Sequence, residues 1–253
     1  MSAENVVALI PARLAATRLP DKPLIDICGK PMIQWVWERA SMAHGITRVA
    51  ICTPDMEIAN AASRFGAEAV MTSHSHRSGT DRLAEAAITL HLADMDIVVN
   101  IQGDEPLLDP SGIEKVAVLL HDDPTLPMSS LSCPCPPEDL DNPDCVKVVC
   151  AGNGDALYFS RSRIPFPRKP GDIPGTAGTL QHVGLYAYRA SFLKMYSSLS
   201  PTPLEQTESL EQLRVIENGY RIRMAHAERA PIGVDTPEDL ERVRRILASF
   251  PAD

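Results

Sequence analysis

No stretch of the 253-residue chain is apolar for long enough to cross a bilayer, so the sequence reads as an enzyme-sized soluble unit and not as a membrane protein. The opening residues, Met1-Ser-Ala-Glu-Asn, lack a basic leader and an extended hydrophobic segment, which argues against secretion and for the cytoplasm. Positive charge is scarce: 24 Lys and Arg against 33 Asp and Glu give a net −9. With no basic tail, the acidic balance argues against a general nucleic-acid binder, which needs an extended positive face. Zinc-ribbon spacing is missing as well. Cys28, Cys52, Cys133, Cys135, Cys145 and Cys150 are scattered, and reduced, mostly buried thiols are expected. What remains, at 44% hydrophobic residues, is enough to bury a substantial core in one α/β domain over 1–253.

The organising stretch lies near the start. A short apolar run at 6–10 reads as a buried strand and empties into a loop carrying Arg13, Arg18 and Lys22 between Pro11, Pro20 and Pro23. The prolines forbid an immediate helix, so the cations sit on a stiff connection at the strand's carboxyl end, where open α/β sheets bind ligands. Cations gathered there in an acidic protein point to a ligand rich in phosphate or carboxylate. A solvated surface loop is the plainer alternative.

Further along, strands and helices alternate: a helix over 31–43, a strand at 48–53, a helix at 57–65, a strand at 67–71 and another at 96–101. Such alternation implies a parallel sheet with right-handed crossovers. Ser78, Gly79 and Thr80 open a helix, either as a plain cap or as amides and hydroxyls offered to an electron-rich group. Asp104 and Glu105 emerge from the strand at 96–101, and carboxylates there suit Mg²⁺, a hard cation with oxygen ligands; a turn-stabilising Asp is the alternative. From 124 to 190 prolines thicken and short strands replace helices, with Gly152-Asn-Gly-Asp155 as a hairpin turn, so a smaller, mixed second lobe is expected. His182 and Tyr186 fall on one face of a strand at 181–189, residues 204–214 read as one helix with Glu208, Glu211 and Gln212 on its polar stripe, and Asp235 lies in a turn before a closing helix.

In order, the blocks Ile10-Pro-Ala-Arg, Thr17-Arg-Leu-Pro, Lys22-Pro-Leu, Gly29-Lys-Pro-Met-Ile, Ser78-Gly-Thr, Gln102-Gly-Asp-Glu-Pro, Tyr158-Phe-Ser-Arg, His182-Val-Gly-Leu-Tyr, Leu210-Glu-Gln-Leu-Arg and Gly233-Val-Asp-Thr-Pro-Glu-Asp-Leu resemble the 3-deoxy-manno-octulosonate cytidylyltransferases, the CMP-Kdo synthetases. The resemblance implies a Rossmann-like nucleotidyltransferase fold, a mostly parallel central sheet with a smaller mixed lobe, and a homodimer with that lobe at its contact. It implies CTP and Kdo as substrates, CMP-Kdo and pyrophosphate as products, and Mg²⁺ as cofactor, in lipopolysaccharide biosynthesis. On that likeness Arg13 and Lys22 hold the triphosphate, and Ser78, Gly79 and Arg82 line the cytidine side. Asp104 and Asp235 converge on the metal. Arg18, Gln102, Arg161, His182, Tyr186, Glu211 and Gln212 grip Kdo. The chain departs from the pattern at Ala16 and Asp21, where relatives commonly carry Ser and Gly, and Asp21 adds a carboxylate beside Lys22. An 8-amino form of Kdo, another acidic sugar, or binding without turnover are the competing readings.

Overall fold

The alternation in β1 (Val6–Pro11) decides how the chain is layered. Ala8 and Ile10 join one apolar cluster and Val7 and Leu9 another, because both faces of this strand are covered. The computed structural model describes residues 4–14, 19–76, 78–169 and 178–249. After β1 come β2 (Asp26–Ile27), β3 (Lys30–Pro31), α1 (Met32–Ser41), β4 (Arg48–Thr53), α2 (Met56–Arg64), β5 (Glu68–Met71), α3 (Gly79–Thr89) and β6 (Ile97–Asn100). There follow α4 (Pro110–Asp122), β7 (Met128–Pro134), β8 (Lys147–Cys150), β9 (Ala156–Ser160), β10 (Leu180–Arg189) and α5 (Ala190–Tyr196). The chain closes with α6 (Pro203–Glu208), α7 (Leu213–Glu217), β11 (Ile222–His226) and α8 (Pro237–Ala248).

The main sheet runs β11-β7-β10-β6-β1-β4-β5. β6, β1, β4 and β5 pair in parallel, β10 enters antiparallel between β6 and β7, and β11 returns parallel to β7. The mostly parallel α/β fold expected from the alternating pattern is therefore present. The short strands of 124–190 pair antiparallel, β8 with both β9 and β10, and so extend this sheet. Helices α1, α2 and α4 cover one face through Ile33, Val36, Ile58, Ile113, Val116 and Leu120. On the other face α3 and α5 pack Leu83, Ala87, Phe192 and Leu193. A third cluster is decisive for the site: Leu19, Ile27 and Met32 from the chain's beginning pack on Val234, Leu240, Val243 and Leu247 from its end.

Two expectations need correction. Residues 204–214 are not one helix: α6 ends at Ser209, whose φ of 53° is left-handed, and α7 starts afresh at Leu213. Glu205 inside α6 takes the Arg214 guanidinium, with 2.8 Å from Nε, which folds the two short helices together and thrusts 209–212 sideways. α4 and α5 were not expected, although Asp109 caps α4 through the Ser111 amide and Pro110 opens it, a legible start signal. The cysteines are thiols as anticipated; the Cys135 and Cys145 sulfurs lie 3.6 Å apart. Among the described residues no helix is long and apolar enough to cross a membrane.

Candidate active site

Four segments meet at the carboxyl ends of β1 and β6. The first is the loop after β1. The second leaves β6 as Gln102-Gly-Asp104 and passes so close to β1 that a Cβ on Gly103 would stand 3.0 Å from the Pro11 carbonyl oxygen. The third is the start of α3, where the Ser78 hydroxyl accepts the Asp81 amide at 3.2 Å. Gly79 packs here against the Pro11 ring, 3.3 Å from where its Cβ would be. The fourth, residues 209–212, exists because of the break between α6 and α7.

These segments enclose a cavity of roughly 250 Å³. Of the residues anticipated from sequence, Gly79, Gln102, Tyr186, Glu211 and Gln212 line it. Gln102 is oriented by its amide, which donates to the Gly184 carbonyl at 3.1 Å. Thr80 donates to the Glu211 carboxylate at 3.3 Å. Burial raises the Glu211 pKa, against the opposing pull of Thr80 and Arg214. Sequence reasoning did not assign Pro11, Asn100, Tyr188 and Tyr196 to this wall. Asn100 stands two residues before Gln102, and Tyr188 two after Tyr186 on the same face of β10, so both had a positional signal. Tyr196, on α5, had none.

Beside the cavity, Lys22 joins two acids from distant parts of the chain. Its Nζ lies 2.7 Å from Asp104 Oδ2 and 2.9 Å from Asp235 Oδ1. The Val234 amide donates to the Asp104 carbonyl at 2.9 Å, so the two acid-bearing turns are also tied through their backbones. Burial works against the Lys22 ammonium, but the Asp104 charge and hydrogen bonds to both acids outweigh it and raise its pKa. Glu105 is different: burial first, then the neighbouring Asp104, push its pKa up to about 8. The pairing of two hard carboxylates around a cation is a donor set suited to a divalent ion that completes its shell with water and phosphate oxygens.

The other anticipated residues do not line this cavity. Arg13 is exposed at the end of β1, and its charge depresses the pKa of Arg82, after burial. Arg82 itself is 3% exposed and spends its guanidinium on Thr72 Oγ1 at 2.5 Å and the Ser73 carbonyl at 3.3 Å, beneath the loop before α3. Arg161 donates to the carbonyls of Glu208 at 2.7 Å, Pro143 at 2.9 Å and Ser209 at 3.4 Å, so it fastens the end of α6 from behind the wall. His182 is buried one layer back, 2.9 Å from Ser130 Oγ, with its ring 5.3 Å from that of Tyr186. Arg18 falls outside the described residues. Asp21 is exposed at φ 53°, in a left-handed conformation that explains why a glycine suits this position.

Comparison with known proteins shows the family of the chain. The family described as "Cytidylyltransferase" matches residues 7–222. A 3-deoxy-manno-octulosonate cytidylyltransferase of Actinobacillus pleuropneumoniae serotype 7 is 51% identical over 96% of this chain and 100% of its own length. Its counterpart in Pseudoalteromonas translucida is also 51% identical, over 96% of this chain and 98% of its own. Among solved structures, a CMP:2-keto-3-deoxy-manno-octonic acid synthetase complexed with CTP superposes with a TM-score of 0.91 at 45% identity, covering 97% of this chain and 99% of that one.

Proposed function

Since the chain belongs to the 3-deoxy-manno-octulosonate cytidylyltransferases, we propose that it activates Kdo with CTP, giving CMP-Kdo and pyrophosphate for lipopolysaccharide assembly. The observation that carries this reading is the meeting of Asp104, Asp235 and Lys22 next to a cavity of sugar size.

In this reading the triphosphate lies along the loop after β1, held by Arg13 and by Lys22 once its ammonium turns from the carboxylates to the phosphates. The leading amides of α3, with Ser78 and Gly79, face the nucleotide, and Arg82 supports that edge from below. Gln102, Tyr186, Glu211 and Gln212 present hydrogen-bonding groups to the sugar hydroxyls. Arg18 meets the sugar's carboxylate, while Arg161 and His182 act from the layer behind, by holding Ser209 and Tyr186. Held so, the C2 hydroxyl oxygen bonds to the α-phosphorus, the bond to the bridging oxygen breaks in line with it, and the proton passes to water.

The carboxylates of Asp104 and Asp235 fit Mg²⁺ in kind and would hold it. When bound, it supplies phosphate charge neutralisation and a lowered pKa for a hydroxyl in its shell. We also read the protein as a cytoplasmic homodimer with the 124–190 lobe at its contact.

The test is pyrophosphate release from CTP with Kdo, 8-amino-Kdo and a sialic acid, with and without Mg²⁺. Turnover with Kdo that requires both CTP and the metal is expected. Binding of CTP and Kdo without turnover would overturn the proposal, and preference for another sugar would reassign the substrate.

A further inference from the structure

Two of the cysteines meet in space, and the reaction assigned above uses neither. Cys135 follows β7 and Cys145 precedes β8, with their sulfurs 3.6 Å apart across the neck of the loop 136–144. Both sides of the neck are anchored. The Cys135 amide donates to the Thr179 carbonyl at 2.9 Å, and the wholly buried Lys147 holds the carbonyls of Asn142 at 2.7 Å and Cys145 at 2.5 Å. Cys135 is half-buried and Cys145 is buried, so only the first is open to a reagent. From contact, the sulfurs need to approach by roughly 1.5 Å to reach a bonded separation of about 2.05 Å, a distance that side-chain rotation covers.

We propose that Cys135 and Cys145 form a reversible disulfide by thiol exchange with a low-molecular-weight disulfide, closing the neck of this loop. Cys135 attacks first. Burial raises its pKa, and Glu138 and Asp139 add to that, but a hydrogen bond from Cys145 and the Lys147 ammonium pull it back towards the thiolate. Cys145 is pushed up to about 12, by burial and then by Cys135 itself. The Cys135 thiolate bonds to one sulfur of the reagent, and the other leaves as a thiolate that takes up a proton. Capped in this way, Cys135 no longer sets a negative charge against Cys145. Cys145 then gives up its proton, bonds to the Cys135 sulfur and displaces the second thiol, so two protein thiols are oxidised and one reagent disulfide is reduced. In a reducing compartment such a bond is transient and reports oxidation. The loop it closes carries Pro143, whose carbonyl accepts Arg161 at 2.9 Å, and Arg161 also holds Ser209 in the cavity wall. The site itself does not depend on the reaction assigned above.

The experiment is incubation of the folded full chain with cystamine at about pH 8, where exchange takes seconds to hours, followed by peptide mapping by mass spectrometry without reduction. A Cys135–Cys145 link that dithiothreitol reverses is expected. In Cys145→Ser the reaction should stop at a cystamine adduct on Cys135, and in Cys135→Ser the buried Cys145 should stay unmodified. Cys28, which is exposed, takes the adduct in every protein and shows that the reagent is active. Hydrogen exchange is the second readout: the amides of Asn142 and Cys145, which donate within the loop at 3.2 Å each, should exchange roughly tenfold more slowly once the neck is closed. The proposal is overturned if Cys28 reacts and no internal bond forms, if the link runs through Cys133 instead, if it appears only in urea, or if those two amides exchange at an unchanged rate after oxidation.

Discussion

Lys22 Nζ and Asp235 Oδ1 lie 2.9 Å apart although 213 positions separate them in the chain. The apolar cluster of Leu19, Ile27, Val234 and Leu240 makes this possible, by packing the end of the polypeptide onto its beginning. The same lysine also reaches Asp104 at 2.7 Å, so one cation shields two carboxylates that would otherwise repel each other.

Asp104→Asn and Asp235→Asn are each expected to abolish Mg²⁺-dependent turnover while the protein stays folded. Each swap keeps shape and removes one hard charged ligand. Pyrophosphate release, read beside circular dichroism, checks it; near wild-type rates in either variant would remove the metal role. The Lys22 contacts themselves should survive any neutral buffer. Because its folded pKa is raised, the stability they contribute is fully present below the ordinary lysine value of 10.5 and is lost only as pH rises through the higher folded value.

Asp21→Gly should strengthen CTP binding. The aspartate holds a φ of 53°, which costs a side-chain-bearing residue about 1 kcal/mol, and it places a negative charge one residue from Lys22. Glycine relieves both. A KM for CTP lowered several-fold, together with a slightly raised melting temperature, is the expected result; an unchanged KM would mean that the exposed carboxylate is too well screened to matter.

The strand and helix alternation through β6 was legible because each short apolar run is bounded by a proline, glycine or capping residue. The acids and Lys22 were legible as motifs, and their meeting in space follows from the parallel topology that brings β1 and β6 side by side. The break at Ser209 was not legible. Residues 204–214 keep helical periodicity throughout, and only the tertiary pull of Glu205 on Arg214 overrides it. Arg161 and His182 show the complementary limit. Residue type says that a side chain can grip a sugar acid, but only the fold shows that Arg161 is already spent on three carbonyls and His182 lies behind Tyr186.

Tyr196→Phe tests the wall that this break creates. The Tyr196 hydroxyl donates to the Glu211 carbonyl at 3.0 Å, and the Arg214 guanidinium lies 5.1 Å from the ring centre. Removing the hydroxyl unties the segment bearing Glu211 and Gln212 at a cost of about 1 kcal/mol. The expected outcome is a KM for Kdo raised roughly fivefold with the KM for CTP unchanged, since one kilocalorie is close to that ratio. An equal loss for both substrates would mean that the segment serves the whole cleft and not the sugar alone.

His182→Gln tests the layer behind the wall by its pH dependence. Burial pushes the imidazole pKa down from 6.5 to about 3, so the folded protein keeps it neutral beside Ser130 while the unfolded chain protonates it readily. Between those two values the unfolded state therefore binds one more proton than the folded state at this residue, and stability falls as pH drops, by up to about 1.4 kcal/mol per unit. Glutamine can still hydrogen-bond Ser130 but does not titrate. Urea unfolding at pH 7, 6, 5 and 4 should show a wild-type loss from which one proton's slope is missing in the variant. Parallel profiles for the two proteins would mean that the imidazole is protonated in place, and that Tyr186 rests against a cation.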